Sequence, residues 1–267
     1  MQKRIITLTT DFGLKDPFVG IMKGVIIGIN PDAYIIDITH NITRHNIFEA
    51  SQTLLMSYRY FPRDTVHVVI VDPGVGSERR PILVIMDNCY FVGPDNGVFS
   101  PIYEEASGSL TVIHLTSTHY FMPVRGSTFH GRDIFAPVAA WLSRGIDTSR
   151  LGEEITDYVK LPSIKATIEG KTIKGNIITI DIFGNAITNI TRDDVEKLAE
   201  NTPVERLMVV FKGKAMNMVD YYAKAKETTL SCLFNSFGNL ELFVFKGSAS
   251  EMFDINIGDS VVLTVID

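Results

Sequence analysis

The most charged loop in this 267-residue sequence spans residues 72–80 and follows an apolar run at residues 66–71. Four charged side chains crowd it: Asp72, Glu78, Arg79 and Arg80. Gly74 and Gly76 give its backbone access to conformations that are closed to other residues. Such a loop can cradle a phosphate, but it lacks the Lys-Ser/Thr ending of a P-loop and the dinucleotide-binding fingerprint. A surface turn with solvated charges is the alternative interpretation.

A second candidate is His130, which stands in the run TFHGRD at residues 128–133, just before a predicted helix. A histidine at a strand-to-helix junction can polarise a substrate or a water molecule. A packed or capping histidine is the alternative interpretation. The six histidines show no spacing typical of zinc ligands, so we expect no metal site.

Asp11 follows the first predicted strand, in the run TDFG that also contains Phe12. An ionised carboxylate offers two acceptor oxygens, which suit the two hydroxyls of a ribose diol. Asp16 is better explained as the N-cap of a helix that has Pro17 at its first position. The Asp-Phe-Gly string is not a kinase motif, because no glycine-rich loop precedes it.

In the second half of the chain, the run DIFGNA at residues 181–186 interrupts a β-rich stretch. Phe183 could stack on a base, and Asn185 could hydrogen-bond polar ligand atoms through its amide. A plain hairpin turn is the alternative, because Gly-Asn is common in turns. The run NSFGN at residues 235–239 is open to the same two interpretations.

Strands and helices must position these loops, and the first half of the chain shows strand and helix patterns in alternation. The spacing of apolar residues predicts strands at residues 4–9, 34–39, 66–71, 81–86 and 110–115, and helices at residues 18–29, 47–58 and 134–142. Strands separated by helices predict an α/β domain with a mostly parallel sheet. Ligands of such sheets bind in the loops at the ends of the strands.

After about Gly152 the helical periodicity fades, and short β-rich segments predict a smaller antiparallel β domain. These segments are residues 165–169, 172–182, 206–211, 229–234, 240–245 and 260–265. We place the boundary near Pro162, which gives an N-terminal domain of residues 1–162 and a C-terminal domain of residues 163–267.

The composition argues against several classes of protein. A formal net charge of −6 disfavours a general nucleic-acid binder, which needs a basic face. No apolar run approaches the roughly 18–20 residues of a membrane helix, and the N-terminus has no signal-peptide core. Cys89 and Cys232 lie far apart and fit neither a disulfide framework nor a zinc site. We therefore expect a cytoplasmic protein that binds neither nucleic acid nor membrane.

Taken together, these runs resemble one family, the S-adenosylmethionine hydrolases (hydroxide adenosyltransferases), which are relatives of the fluorinase and chlorinase. The specific motifs are DPGVG with Arg79, FHGRD at residues 129–133, and FGN at residues 183–185 followed by Thr188 and Asn189. Each motif is weak evidence alone, but together, in this order along the chain, the motifs are a strong indication of this family. The halogenating relatives have a Tyr where Asp72 stands and a Thr near Val75, so the resemblance favours water over halide as the nucleophile.

The resemblance implies an N-terminal α/β domain and a C-terminal β-barrel domain in a homotrimer, with the ligand between the large domain of one subunit and the small domain of the next. It implies that Asp72, Arg79 and His130 manage the attacking water, with His130 taking up or relaying the proton. It assigns the ribose to Asp11, and it matches Asn185 and Ser236 to contacts of the methionine part. The other implied substrate contacts are Phe12, Asp181, Phe183, and the backbone around Glu241 and Val244.

The activity that the resemblance implies is hydrolysis of S-adenosylmethionine to adenosine and methionine without a cofactor. A binding protein that senses adenosine or S-adenosylmethionine without turnover is one alternative. A halide-using transferase that forms 5′-chloro-5′-deoxyadenosine is the other.

Overall fold

The two parts of the sequence with different periodicity fold as two units, which divide between Pro162 and Ser163. The computed structural model describes residues 5–123, 127–198 and 206–266. Across these ranges, no helix is both long enough and apolar enough to cross a membrane. Each unit is built around its own cluster of buried apolar side chains.

Unit 1 contains a seven-stranded sheet. Its strands are β1 (Ile5–Thr10), β2 (Tyr34–Thr39), β3 (Val66–Ile70), β4 (Pro81–Met86), β5 (Cys89–Pro94), β6 (Leu110–Leu115) and β7 (Gly152–Glu154). Their order is β2-β1-β3-β5-β4-β6-β7. The pairs among β2, β1, β3 and β5 are parallel, and the pairs from β5 to β7 are antiparallel. The predicted α/β class is confirmed, and the sheet itself is mixed.

The antiparallel half begins with a hairpin that the sequence patterns do not reveal. β5 follows β4 after only Asp87 and Asn88, whose φ angles are 48° and 63°. Positive φ at both central residues is the type I′ turn, whose twist matches that of the two strands it joins. β5 therefore folds back along β4 and lies between β4 and β3.

Helices cover both faces of this sheet. α1 (Phe18–Ile29) and α4 (Ala136–Ser143) pack on the face that contains Val68 and Ile70 of β3. α2 (Ile47–Ser57) and α3 (Ser100–Glu105) pack on the face that contains Val69. Because both faces are covered, every residue of β3 is buried, which explains why four of its five residues are apolar and why His67, the exception, is hydrogen-bonded to Thr7.

Two helix starts differ from the predictions. Pro17, not Asp16, occupies the N-cap position of α1, and no side chain accepts a capping hydrogen bond there. The helix predicted from residue 134 begins earlier, as the π-helical turn Gly131–Phe135, and continues directly into α4. Single π-helical turns are frequent at functional sites, and this one follows His130.

Unit 2 is a nearly closed, antiparallel, barrel-like sheet, which confirms the predicted smaller β domain. Its strands are β8 (Thr167–Glu169), β9 (Thr172–Ile180), β10 (Ala186–Thr191), β11 (Leu207–Phe211), β12 (Lys214–Asn217), β13 (Leu230–Phe234), β14 (Asn239–Val244) and β15 (Ser260–Val265). The order is β12-β11-β15-β9-β10-β14-β13, with β8 paired to β9. A bridge between Met218 and Cys232 brings the two ends of this order together. Two short helices, α5 (Arg192–Leu198) and α6 (Ala249–Phe253), complete the unit.

The close packing of β5 against β3 gives a prediction for stability. An added Cβ at Gly93 would overlap the Val69 carbonyl oxygen and lie 2.9 Å from the Phe99 ring. We expect Gly93→Ala to lower the free energy of unfolding by about 1–3 kcal/mol, because the backbone of β3 must shift to admit it.

Gly24→Ala is the matched control, since a Cβ at this position of α1 would have no atom within 4 Å. This control should raise the stability by about 0.5–1 kcal/mol, the usual difference between alanine and glycine in a helix. Urea unfolding measures both variants. A Gly93→Ala variant as stable as the unsubstituted protein would contradict the close approach of the two strands.

Candidate active site

Three polar side chains follow the ends of neighbouring parallel strands in unit 1. The register pairs Thr10 of β1 with Ile70 of β3, and β2 ends beside β1. Within two residues of these ends the chain reaches Asp11, His40 and Asp72. The carboxyl ends of parallel strands are the edge at which α/β sheets bind ligands. The register of the sheet therefore places both predicted carboxylates at the same edge.

Arg79 joins Asp72 and His130 through one buried guanidinium. Its Nε donates to Asp72 Oδ1 at 3.0 Å, and its Nη2 donates both to Asp72 Oδ2 and to His130 Nδ1, the latter at 2.7 Å. The side chains of Arg79 and Asp72 are only 9% and 5% exposed. The ring of Phe135 lies 5.3 Å from the guanidinium carbon and helps to keep water from it. The structure thus brings together the three residues that the motifs single out.

A close backbone approach holds the two loops of this cluster against each other. Gly76 has a φ of 81°, and an added Cβ there would lie 2.5 Å from the Ser127 carbonyl oxygen. The 72–80 loop therefore touches the segment that leads into His130. Its own backbone is folded by two turn hydrogen bonds, from Val75 N to the Asp72 carbonyl and from Ser77 N to the Gly74 carbonyl.

The contact with Arg79 fixes the protonation of His130. Because a guanidinium can only donate hydrogen bonds, His130 Nδ1 is the acceptor and carries a lone pair. In the neutral ring the proton then lies on Nε2. Burial lowers the pKa of His130, and the positive charge of Arg79 lowers it further, against the opposing charges of Asp72 and Asp133. The site therefore presents a neutral imidazole with an N–H donor at Nε2.

Asp11 is partly exposed, and its Oδ2 accepts the backbone N–H of His45 at 2.9 Å. Phe12, the next residue, packs edge to face on Phe129 with ring centres 6.1 Å apart. Because Phe129 immediately precedes His130, this aromatic contact ties the Asp11 loop to the histidine segment. The ring of Phe12 is thus engaged in positioning the two loops.

In unit 2, Asp181 organises the turn between β9 and β10. Its Oδ1 accepts the backbone N–H groups of Phe183 and Asn185, both at 2.9 Å, and its Oδ2 accepts the Asn185 side-chain amide at 3.1 Å. The Asn185 side chain is buried, whereas Phe183 is 73% exposed. Asp181 therefore acts within the turn, as the turn interpretation of this run expects. The ring of Phe183 is the side chain that the turn exposes.

The hairpin between β13 and β14 carries the remaining predicted contacts. Ser236 is exposed at the turn, and Val244 is buried in the barrel core, so only its backbone can face a ligand. Glu241 is 3% exposed and accepts hydrogen bonds from Tyr222 Oη at 2.8 Å and from Asn235 Nδ2 at 3.0 Å. Burial raises the pKa of Glu241, and these two hydrogen bonds partly offset the rise.

Sequence reasoning missed two partners in these clusters. The backbone N–H of His45 holds Asp11, and a backbone contact leaves no signature in the choice of side chain. Tyr222 holds Glu241 across 19 residues, and no motif includes it. Among the residues described here, no group of three or more His, Cys, Asp and Glu side chains could hold a metal ion.

Both units match domains of one known family. Residues 6–152 match the SAM hydroxide adenosyltransferase N-terminal domain, and residues 175–262 match the C-terminal domain of the same family, where SAM is S-adenosylmethionine. A curated relative from Methanocaldococcus jannaschii is named (R)-S-adenosyl-L-methionine hydrolase. It is 37% identical, over 96% of this chain and 94% of that protein.

The structural comparison agrees with this assignment. The crystal structure of an uncharacterized conserved protein from Thermotoga maritima is similar, with a TM-score of 0.90 and 35% identity over 97% of this chain and 99% of that chain. A fluorinase from an Actinoplanes species is more distant, at 26% identity over 72% of this chain and 74% of that protein. With both of its units matched and more than a third of its residues shared with a relative over nearly the full length, the chain belongs to the SAM hydroxide adenosyltransferase family.

Proposed function

We propose that this protein hydrolyses S-adenosylmethionine to adenosine and L-methionine, and that the attacking water is bound at the Asp72–Arg79–His130 cluster. The observation that carries the proposal is this buried cluster, with its bidentate ion pair and neutral imidazole, in a chain of this family. The relative from M. jannaschii, which is named as a hydrolase of (R)-S-adenosyl-L-methionine, supports the same reaction.

In the proposed reaction the water oxygen forms a bond to the ribose C5′ atom as the bond from C5′ to sulfur breaks. The electron pair of that bond goes to sulfur, which leaves as the neutral thioether of methionine, and the water gives up one proton. A sulfonium needs no acid to leave, so the protein's task is to hold water in line with the breaking bond. Such positioning can lower the barrier by up to about 7–11 kcal/mol.

The geometry divides the work between Asp72 and His130. His130 Nδ1 is occupied by Arg79, so we assign the water proton to Asp72 instead of the histidine. The Nε2–H of His130 then donates to the water oxygen and orients its remaining lone pair towards C5′. Arg79 keeps the carboxylate of Asp72 fixed by two hydrogen bonds, which is the strongest geometry of an ion pair. No step of this scheme requires a cofactor.

Substrate contacts follow from the same proposal. Asp11 binds the ribose hydroxyls, supported by its partial exposure at the edge of the sheet. Asn185 and Ser236 contact the methionine part, and Phe183 stacks against the nucleoside. The backbone near Glu241 borders the ligand.

We also propose a homotrimer in which the large domain of one subunit and the small domain of the next share the ligand. Ile182 and Phe183 are 94% and 73% exposed in the single chain, and burial against a second copy would remove this apolar surface from water. Light scattering would measure the mass of the particle against 29.7 kDa per chain. Cys89 and Cys232 are not joined in a disulfide bond, which fits the cytoplasmic location that we propose.

Incubation of the purified protein with S-adenosylmethionine tests the reaction, with the (R) and (S) sulfonium epimers supplied separately in chloride-free buffer. We expect adenosine and methionine in equal amounts, detected by chromatography, and faster formation from the (R) epimer. Binding without any product would support a sensor instead. A parallel reaction in chloride buffer that yields 5′-chloro-5′-deoxyadenosine would support a halogenase.

Removal of one charge at residue 72 should affect catalysis more than folding. We expect Asp72→Asn to lower kcat by on the order of 10²–10⁴-fold, because the amide cannot take the water proton. Asp95→Asn is the matched control, because the carboxylate of Asp95 is as buried as that of Asp72 and pairs with the adjacent arginine, Arg80, which is more exposed than Arg79. Both variants should lose stability, as measured by thermal unfolding, but the control should retain kcat within about threefold of the unsubstituted enzyme. Equal losses of kcat would remove Asp72 from its proposed role.

The lowered pKa of His130 predicts the pH dependence. The neutral ring is required, because a proton on Nδ1 would face the guanidinium of Arg79. Activity should therefore be constant near pH 7 and fall in acid, with the midpoint of kcat/KM below the ordinary histidine value of 6.5. His130→Gln should be slow and should lack this acid limb. A midpoint above 6.5 in the unsubstituted enzyme, or the same limb in His130→Gln, would contradict the assignment.

A further inference from the structure

We propose that Thr10 and His40 are positioning residues, which hold the loop that carries Asp11 in the orientation needed to bind the two ribose hydroxyls. The inference rests on the proposed function, in which Asp11 is the ribose carboxylate. It concerns a chain of hydrogen bonds behind Asp11, in which Thr10 belongs to the TDFG run and His40 belongs to none of the motifs.

The bonds closest to Asp11 involve its two neighbours in the chain. Thr10 Oγ1 accepts the backbone N–H of Phe12 at 3.2 Å and lies 2.8 Å from His40 Nδ1. The backbone N–H of Gly13 donates to the His40 carbonyl oxygen at 2.7 Å. Thr10 and His40 are 0% and 4% exposed, so these bonds are made away from water. Thr10 therefore holds the backbone at Phe12, and His40 holds it at Gly13. Thr10 and His40 also contact each other, so the turn around Asp11 is fixed.

The chain of polar contacts continues behind His40 to the surface. His40 Nε2 lies 3.1 Å from Asp37 Oδ1, and Lys23 Nζ donates to Asp37 Oδ2 at 2.6 Å. Burial raises the pKa of Asp37, but the hydrogen bonds from Lys23 and His40 outweigh it, so the pKa lies below its ordinary value. An ionised Asp37 attracts the ring proton of His40 to Nε2.

This arrangement gives each hydrogen bond a direction. With the ring proton on Nε2, Nδ1 of His40 is an acceptor, and the Thr10 hydroxyl donates its only proton to it. The lone pairs of Thr10 Oγ1 then face the N–H of Phe12. Next to Asp11 each donor meets an acceptor: the Phe12 N–H meets Thr10 Oγ1, and the Thr10 hydroxyl meets His40 Nδ1. Among the described residues, His40 Nε2 forms no hydrogen bond of good geometry and faces Asp37 at ion-pair distance. The satisfied, buried bonds beside Asp11 favour a single orientation of the loop.

The second brace on this loop is the backbone N–H of His45, which Asp11 Oδ2 accepts. His45 has a φ of 65°, a conformation that is uncommon outside glycine but that histidine adopts more often than most residues. The segment from His40 to His45 thus holds the Asp11 loop at its base through His40 and at its carboxylate through His45. Loss of the bond at the base should loosen the carboxylate without removing it.

Strand β1 offers a matched pair of threonines for the test. Thr7 Oγ1 lies 2.9 Å from His67 Nδ1, and Thr7 and His67 are each 1% exposed. Thr7→Val and Thr10→Val therefore remove the same kind of buried Thr–His bond from the same strand, but only Thr10 adjoins Asp11. Isothermal titration calorimetry with adenosine and with 2′,3′-dideoxyadenosine, which lacks the diol, measures binding apart from catalysis.

We expect Thr10→Val to weaken adenosine binding about three- to tenfold, the size of one hydrogen bond between Asp11 and the ribose, and to leave the binding of dideoxyadenosine unchanged. Thr10→Ser, which keeps the hydroxyl, should restore most of the affinity for adenosine. Thr7→Val should bind both nucleosides as the unsubstituted protein does. In an Asp11→Asn background, Thr10→Val should cause no further loss.

Three results would overturn the inference: unchanged adenosine binding in Thr10→Val, equal losses for the two nucleosides, or the same loss in Thr7→Val. If Thr10→Val does not fold, Asp37→Asn takes its place, because Asp37 is partly exposed and lies at the far end of the same chain. Failure of the proposed function would be a separate result, namely that the unsubstituted protein forms no adenosine from S-adenosylmethionine. That reaction is assayed first.

Discussion

A single guanidinium holds the candidate active site together. Arg79 donates hydrogen bonds to Asp72 and to His130. The loop of Asp72 and the segment before His130 also meet at a close approach of Gly76 to Ser127. Removal of two charges from water is costly, and a buried ion pair recovers that cost only with good geometry and additional hydrogen bonds. The bidentate contact and the histidine acceptor provide both. In the proposed reaction the same contact assigns the base, because it uses the Nδ1 lone pair of His130 and leaves Asp72 to take the proton.

The parallel half of the sheet is the constraint that makes this arrangement possible. β2, β1, β3 and β5 end at one edge, and a polar residue follows each of them within two positions. After β5 this residue is Asp95, which pairs with Arg80, while the preceding Arg79 pairs with Asp72. The two arginines immediately before β4 thus pair with two carboxylates at one edge. Arg80 anchors the strand, and Arg79 is free to complete the site.

The sequence was most informative where one local physical cause decides the structure. Burial of β3 on both faces produces a run that is apolar except for His67, and this run predicts the strand to within one residue. The β4–β5 hairpin was missed because its turn, Asp87–Asn88, contains no glycine, and because Gly93 and Pro94 make β5 look like a loop. The direction of the hydrogen bond between Arg79 and His130 was also beyond the sequence, since it arises only when two distant loops meet.

The carboxylate of Asp181, for which the resemblance implies a substrate contact, is directed at its own turn. It accepts three hydrogen bonds from the turn itself, so its charge is directed inward and the backbone conformation of the turn is fixed before any ligand arrives. A ring held on such a turn has few rotatable bonds left to order. Stacking a nucleoside on the exposed Phe183 would therefore cost less conformational entropy than stacking on a mobile loop. Unit 2 thus presents an exposed aromatic ring on a turn that its own hydrogen bonds fix, and the cluster of Asp72, Arg79 and His130 belongs to unit 1.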